Sequence, residues 1–256
     1  MNNNLQKFAQ NDLVLARSAN ERTRINSSLQ QLENVLKNKL GIRTIIRFGS
    51  FTRNTILPRR YDTNSDIDLL LVFDGNYTPE TYRTRIIKVL NTAYPNSLSK
   101  KDFPAVKLEL NHIKFDIVPS IVETDFFGTT KYYIPNKDNK WMITYPNDIN
   151  KNLSEKNQSY GGNIIRQVIR LCKHWNANAG YPLSSYLMEK KIIELWYWGN
   201  ENTYNRFLKT LNSIAGHIPK VNKAINKIRE NEGDIWNAQN KSEQLYWLKV
   251  LLPGLK

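Results

Sequence analysis

The 256-residue chain carries a single cysteine, Cys172, and three widely separated histidines, His112, His174 and His217. One cysteine excludes a disulfide framework and a cysteine-rich zinc site. Three scattered histidines argue against a histidine-built metal centre. No uninterrupted apolar stretch approaches the ~20 residues that span a bilayer. The opening MNNNLQKFAQNDLVLARS has no apolar core of the kind that marks a secretion signal. The expectation is a soluble cytoplasmic protein without a membrane partner. Internal repeats are absent, and the asparagine enrichment is diffuse rather than a low-complexity tract. Acidic residues are also scarce: 23 Asp and Glu stand against 37 Lys and Arg, for a net charge of +14. Such a surplus usually means an anionic partner, whether nucleic acid, nucleotides or an acidic membrane face, with a merely soluble basic protein as the alternative.

Apolar residues make up 40% of the chain and aromatics 11%, enough for a real core in one large domain or two lobes. Leu13, Ala16, Ile25, Leu29, Leu32, Val35, Leu36 and Leu40 recur at three- and four-residue spacing and predict one long helix over 5–40, stopped by Gly41. A strand is predicted over 42–48, a short helix from Ser50 and a second strand over 67–73. A turn at Asp74-Gly75-Asn76 and a helix over 78–94 follow. Strands over 105–110 and 113–118 flank Asn111-His112 as a hairpin ended by Pro119, and 131–152 is expected to be irregular. Helices are predicted over 163–178, 183–199, 203–216, 219–231 and 242–252. The fold class is therefore α+β, with a β-rich lobe over 1–155 and a helical lobe over 156–256.

The strand DIDLLLVF contains an oddity, because strand interiors disfavour aspartate. Residues i and i+2 project to one face about 6.6 Å apart, so Asp66 and Asp68 point together. Paired carboxylates repel unless cations neutralise them, and two divalent ions about 3.5–4 Å apart suit such a pair. Asp116, a lone acid in KFDIV, joins them if its strand lies beside 67–73. Upstream, Gly49-Ser50 ends a strand at a helix start, where backbone amides and a hydroxyl can hold phosphate.

Together, GSFTRNT, SDIDLLLVF and KFDIVPS resemble the nucleotidyltransferase superfamily of the DNA-polymerase-β type. Within it the chain is most similar to the bacterial cyclic GMP-AMP synthase-like and DncV-like nucleotidyltransferases, the CD-NTases with a SMODS domain. The resemblance spans roughly residues 5–250. It implies a mixed catalytic sheet with a long N-terminal helix, a C-terminal helical lobe and a cleft between them. It also implies that Gly49 and Ser50 hold a donor triphosphate, and that Asp66, Asp68 and Asp116 bind two Mg²⁺ (or Mn²⁺). Asp116 would also help to deprotonate the attacking hydroxyl.

IRLCKHWN resembles the family's lysine-bearing helix, which implies Lys173 on the β- and γ-phosphates. PLSSYLMEKKIIELW resembles the segment whose serine touches triphosphate and whose aromatic stacks on a base, implying Ser185 and Tyr186. From spacing alone, Arg166, Arg170, Lys173 and His174 form a basic face that is solvated or ligand-facing. Tyr186 is core or platform. Arg53, Arg59 and Arg60 could line a cleft mouth, and the Lys220, Lys223 and Lys227 stripe is an exposed face or a seat for nucleic acid or a primer.

The implied activity joins nucleoside triphosphates, with ATP the expected substrate, into a cyclic or short oligonucleotide second messenger for antiviral defence. An effector protein would respond to the product. The alternatives are a primer-extending polymerase and a catalytically silent nucleotide- or nucleic-acid-binding regulator. The silent regulator is disfavoured by three acids that would only repel one another.

Overall fold

The computed structural model describes residues 1–256 except 16, 17, 76 and 233–236. Ala16 of the predicted helix and Asn76 of the predicted turn thus lie outside the described residues. Two compact units are formed. One holds Ser18–Arg59 and Asn64–Asn150, the other Met1–Arg17, Arg60–Thr63 and Lys151–Lys256. Residues 1–17 and 60–63 thus group with the helical half of the chain, a division more interleaved than a single cut at residue 155.

Helix α1 (Asn2–Lys7) runs into a π-helical turn at Phe8–Asp12, and α2 (Ala19–Leu40) follows separately. The predicted helix over 5–40 is therefore broken. The amide of Leu13 reaches back to the carbonyl of Phe8 at 3.1 Å, and Asn11 and Asp12 are side chains that compete with helical backbone bonding. The apolar periodicity runs across the break because its two parts fill different cores. Phe8 packs its ring edge-on to Tyr61 and His174 in the helical unit, where the carbonyl of Ala9 accepts from Arg170 Nε at 3.0 Å. Ile25, Leu29, Leu32, Leu36 and Leu40 are buried along α2 in the sheet unit. Gly41 ends α2 in the left-handed region at φ +61°, where a side chain would be strained.

The sheet unit continues with β1 (Thr44–Phe48), α3 (Gly49–Thr52), β2 (Asp66–Phe73), α4 (Pro79–Ala93), β3 (Leu98–Asp102), β4 (Ala105–Leu110), β5 (Ile113–Thr124), β6 (Thr130–Pro135) and β7 (Trp141–Thr144). Among the described residues these strands make one seven-stranded sheet in the order β1-β2-β5-β4-β3, with β6 on the far end of β5 and β7 beyond it. Only β2 and β5 are parallel; the other pairs are antiparallel. Ile67, Leu69, Leu71 and Phe73 point to one face, where Phe73 stacks on Tyr82 of α4 at 4.1 Å between centroids. On the opposite face Leu70, Val72, Ala105 and Val118 form a core cluster with Ile46, Phe48, Val122, Tyr132 and Ile134.

Two expectations for the sheet fail. Pro119 does not end β5, whose ladder with β2 runs on past it; on the other edge it stands where β5 exchanges neighbours, since pairing with β4 stops at Ile117 and pairing with β6 begins at Ile121. A residue without an amide proton is tolerated where no ladder bond is needed. The stretch 131–152 is not irregular. Tyr132-Tyr133-Ile134 and Trp141-Met142-Ile143 pair as β6 and β7, joined by a turn whose Asn136 Oδ1 accepts from the amides of Asp138 and Lys140.

The helical unit contains α5 from residue 151 (Asp148–Tyr160), α6 (Ile164–Asn178), α7 (Ser185–Glu194), α8 (Thr203–Ala215), α9 (Pro219–Glu230) and α10 (Ala238–Leu251). Helix α7 ends at Glu194, short of the predicted 199, and the exposed Trp196 and Trp198 lie beyond it. Helix α6 is buried nearly all round, with Arg170, Lys173 and His174 buried as well as Val168 and Ile169. It packs on α7 and α8. Among the described residues no helix is long and apolar enough to cross a membrane.

Candidate active site

A two-residue turn at Asn111-His112 aligns Leu110 with Ile113, which places Lys107 of β4 opposite Asp116 of β5. The parallel β2–β5 ladder places Asp116 beside Asp68, and the β1–β2 ladder places Asp68 beside Phe48. Across β3, Lys100 is the partner of Lys107. One transverse row therefore reads Phe48, Asp68, Asp116, Lys107 and Lys100, with Asp66 one step along on the same face. Ile67, between the acids, is fully buried on the other side. The convergence of Asp68 with Asp116 expected from sequence is thus a direct strand pairing.

Gly49 follows Phe48 at φ +74°, and a Cβ built on it would fall inside the Asp68 carboxylate. Only glycine lets the backbone pass so close to that acid. The turn after it is pinned: the carbonyl of Ser50 accepts from the amides of Thr55 and Ile56 at 3.0 and 3.1 Å. Thr52 Oγ1 donates to the carbonyl of Gly49 at 2.9 Å. Ser50, at the second position of α3, is half-buried beside this crossing.

Burial, and then the negative charge of Asp66, push the Asp116 carboxyl up to about 6, while Lys107 acts in the opposite direction. Lys107 Nζ lies 3.7 Å from Asp116 Oδ2 and 2.9 Å from Asp102 Oδ2. Burial opposes the charge on Lys107, but its bond to Asp102 and the nearby carboxylates outweigh that and raise its pKa. The other oxygen of Asp116, Oδ1, is buried without any hydrogen-bond partner. An orphaned carboxylate oxygen beside further carboxylates is a poor arrangement for a protein alone. It suits a hard divalent cation, whose preferred ligands are oxygens. Among the described residues no group of three or more His, Cys, Asp or Glu side chains already stands at metal-ligand spacing. Lys107 and Asp102 were missed in the sequence, although the hairpin register alone puts Lys107 opposite Asp116.

The remaining predicted residues lie in the helical unit. Lys173 is not on a solvated face. It is buried and paired with Glu189 Oε1 of α7 at 2.6 Å, both side chains being under 10% exposed. Ser185 and Tyr186 open α7, and Tyr186 is 58% exposed rather than core. His174 Nε2 donates to the Pro253 carbonyl at 2.7 Å and the ring packs between Phe8 and Tyr61, a packing role. Arg53 is buried and Arg60 exposed, with Arg60 Cζ 4.7 Å from the Tyr61 ring centroid. Lys223 lies over the Trp247 ring and Lys227 pairs with Glu230, as on an ordinary exposed helix face.

Residues 1–157 match the family described as Second Messenger Oligonucleotide or Dinucleotide Synthetase domain. A Bacillus cereus protein described as a probable cyclic nucleotide synthase is 31% identical over 210 residues, covering 68% of this chain and 61% of that protein. An Escherichia coli CBASS oligonucleotide cyclase, CdnC, is 27% identical over 192 residues, covering 69% of this chain and 60% of that protein. The chain thus spans about three fifths of the length of these curated relatives. Among solved structures, E. coli CdnC with ATP superposes with a TM-score of 0.65 at 14% identity, covering 97% of this chain and 96% of that one. Vibrio cholerae DncV with a linear intermediate gives 0.60 at 15% identity, covering 83% and 68%. These likenesses show a shared polymerase β-like nucleotidyltransferase fold.

Proposed function

Because the chain belongs to the Second Messenger Oligonucleotide or Dinucleotide Synthetase family, we propose that it is a metal-dependent, template-independent nucleotidyltransferase. It joins nucleoside triphosphates into a cyclic or short oligonucleotide messenger for antiphage signalling and releases pyrophosphate. The observation that carries this reading is the pairing of Asp68 with Asp116, with Gly49 crossing against Asp68. ATP is the proposed substrate, as in the CdnC structure solved with it. An effector protein in the same compartment, the cytoplasm, would respond to the product.

In the reaction a ribose 2′- or 3′-hydroxyl attacks the α-phosphorus of a bound triphosphate. A new P–O bond forms, the bond to the β-phosphate oxygen breaks, and pyrophosphate leaves. Gly49 and Ser50 would hold the donor's phosphates through backbone amides and the serine hydroxyl. Asp66, Asp68 and Asp116 would hold two Mg²⁺ or Mn²⁺, which would lower the pKa of the attacking hydroxyl and neutralise charge on the leaving oxygens. Asp116, whose Oδ1 is buried without a hydrogen-bond partner, would also help to deprotonate the attacking hydroxyl. In the helical unit, Lys173 and Ser185 would contact phosphates and Tyr186 would stack on a base. The chain's share of the rate enhancement is positioning and fixed charge.

The test is pyrophosphate release by the purified protein with ATP and Mn²⁺. Asp68→Asn and Asp116→Asn should each lower the rate at least about a hundredfold while the fold is kept, consistent with electrostatic terms of this kind. Variants retaining more than about a tenth of the rate would overturn the assignment.

A further inference from the structure

We propose that Lys107 and Asp102 set the metal affinity of the carboxylate site, with Lys107 as the resident counter-ion of Asp116 and Asp102 drawing it part-way off. The inference rests on the metal-site reading above and concerns two residues outside the acid set. Strand register fixes the arrangement: Lys107 is the cross-strand partner of Asp116, and Asp102 pairs with Ala105 at the far end of the same β3–β4 hairpin. The ammonium group sits at hydrogen-bond distance from Asp102, 2.9 Å, but at 3.7 Å from Asp116. The outer acid, half-exposed, therefore holds the tighter contact, and the inner acid, 20% exposed, is only partly neutralised.

A divalent cation approaching Asp116 competes with Lys107 for the same carboxylate. Without Lys107 the acids carry more uncompensated negative charge, and a metal binds more tightly. Without the Asp102 charge, Lys107 loses its closer partner and leans onto Asp116, so a metal binds more weakly. A lysine needed only for packing would not produce opposite signs at the two positions.

The experiment titrates the full chain with Mn²⁺ alone, reading free Mn²⁺ by electron paramagnetic resonance. Lys107→Gln should lower the dissociation constant about three- to tenfold, and Asp102→Asn should raise it about two- to fivefold, from Coulomb effects of this range. In the double variant the Asp102→Asn effect should vanish, because Asp102 acts through Lys107; Lys107→Arg should stay near wild type. Unchanged or weaker binding in Lys107→Gln, or an Asp102→Asn effect that persists without Lys107, overturns the inference. Wild-type Mn²⁺ binding that is insensitive to Asp68→Asn overturns the metal-site reading itself, and is recognised separately from the Lys107 outcome.

Discussion

Gly49 and Asp68 share a space that a single methyl group would fill: the glycine backbone, at φ +74°, lies against the acid's carboxylate with no room for a Cβ. The crossing brings the turn that would hold phosphate to one of the acids that would hold metal. Gly49→Ala should therefore cost about 1–2 kcal/mol in left-handed backbone strain and displace Asp68 as well. Pyrophosphate release should fall by more than about a hundredfold, with a lower unfolding midpoint in urea. Ser50→Ala, which removes only a hydroxyl, should raise the KM for ATP and leave the midpoint unchanged.

Asp116 makes metal-free stability depend on pH. Its folded carboxyl is raised to about 6 by burial and by Asp66, above the unfolded value of about 3.9. Between those values the folded state binds more protons, so stability falls as pH rises from about 4 to 6 and is flat above. The contribution is on the order of 2–3 kcal/mol. Asp116→Asn should remove this descent, measured as urea midpoints in chelator. Mg²⁺ added at pH 7 should stabilise the wild type but not the variant.

Lys173 and Glu189 form a buried pair joining α6 to α7. Lys173→Ala leaves Glu189 without that counter-ion and should destabilise the chain by about 3–5 kcal/mol, so lost activity in this variant reports folding as well as binding. Glu189→Gln separates the two. With its grip on Lys173 relaxed, ATP should bind a few-fold more tightly if the lysine turns to phosphate, measured by calorimetry. Unchanged affinity removes Lys173 from the triphosphate site.

Tyr186 stands out from the start of α7, 58% exposed. Base stacking is worth about 1–3 kcal/mol, so Tyr186→Ala should raise the KM for nucleotide by about fivefold or more with no change in the unfolding midpoint. Tyr186→Phe should behave as wild type. An Ala variant with unaltered KM removes the stacking role.

The acid site was legible because its signals are local. A strand's two-residue period aligns Asp66 with Asp68, and a two-residue turn fixes which strand residue faces Asp116. Glycine before Ser50 marked the close approach that the Asp68 carboxylate explains. Periodicity failed where it continued through a change of partner, as at the π-helical turn between the two N-terminal helices. It also failed on α6, because the spacing of Arg170, Lys173 and His174 is the same whether that side meets water or other helices. Burial of Lys173 depends on Glu189, sixteen residues later, which no local pattern announces. Strands β6 and β7 were hidden because each is short and bordered by asparagine, lysine and proline.

The most direct test of the central claim is the product. Purified protein is incubated with all ribonucleoside triphosphates and Mg²⁺ or Mn²⁺, treated with phosphatase, and resolved by mass spectrometry beside Asp68→Asn. The account predicts a discrete phosphatase-resistant cyclic or short oligonucleotide, absent from the variant. A ladder of long linear products, or the same product from the variant, would contradict it.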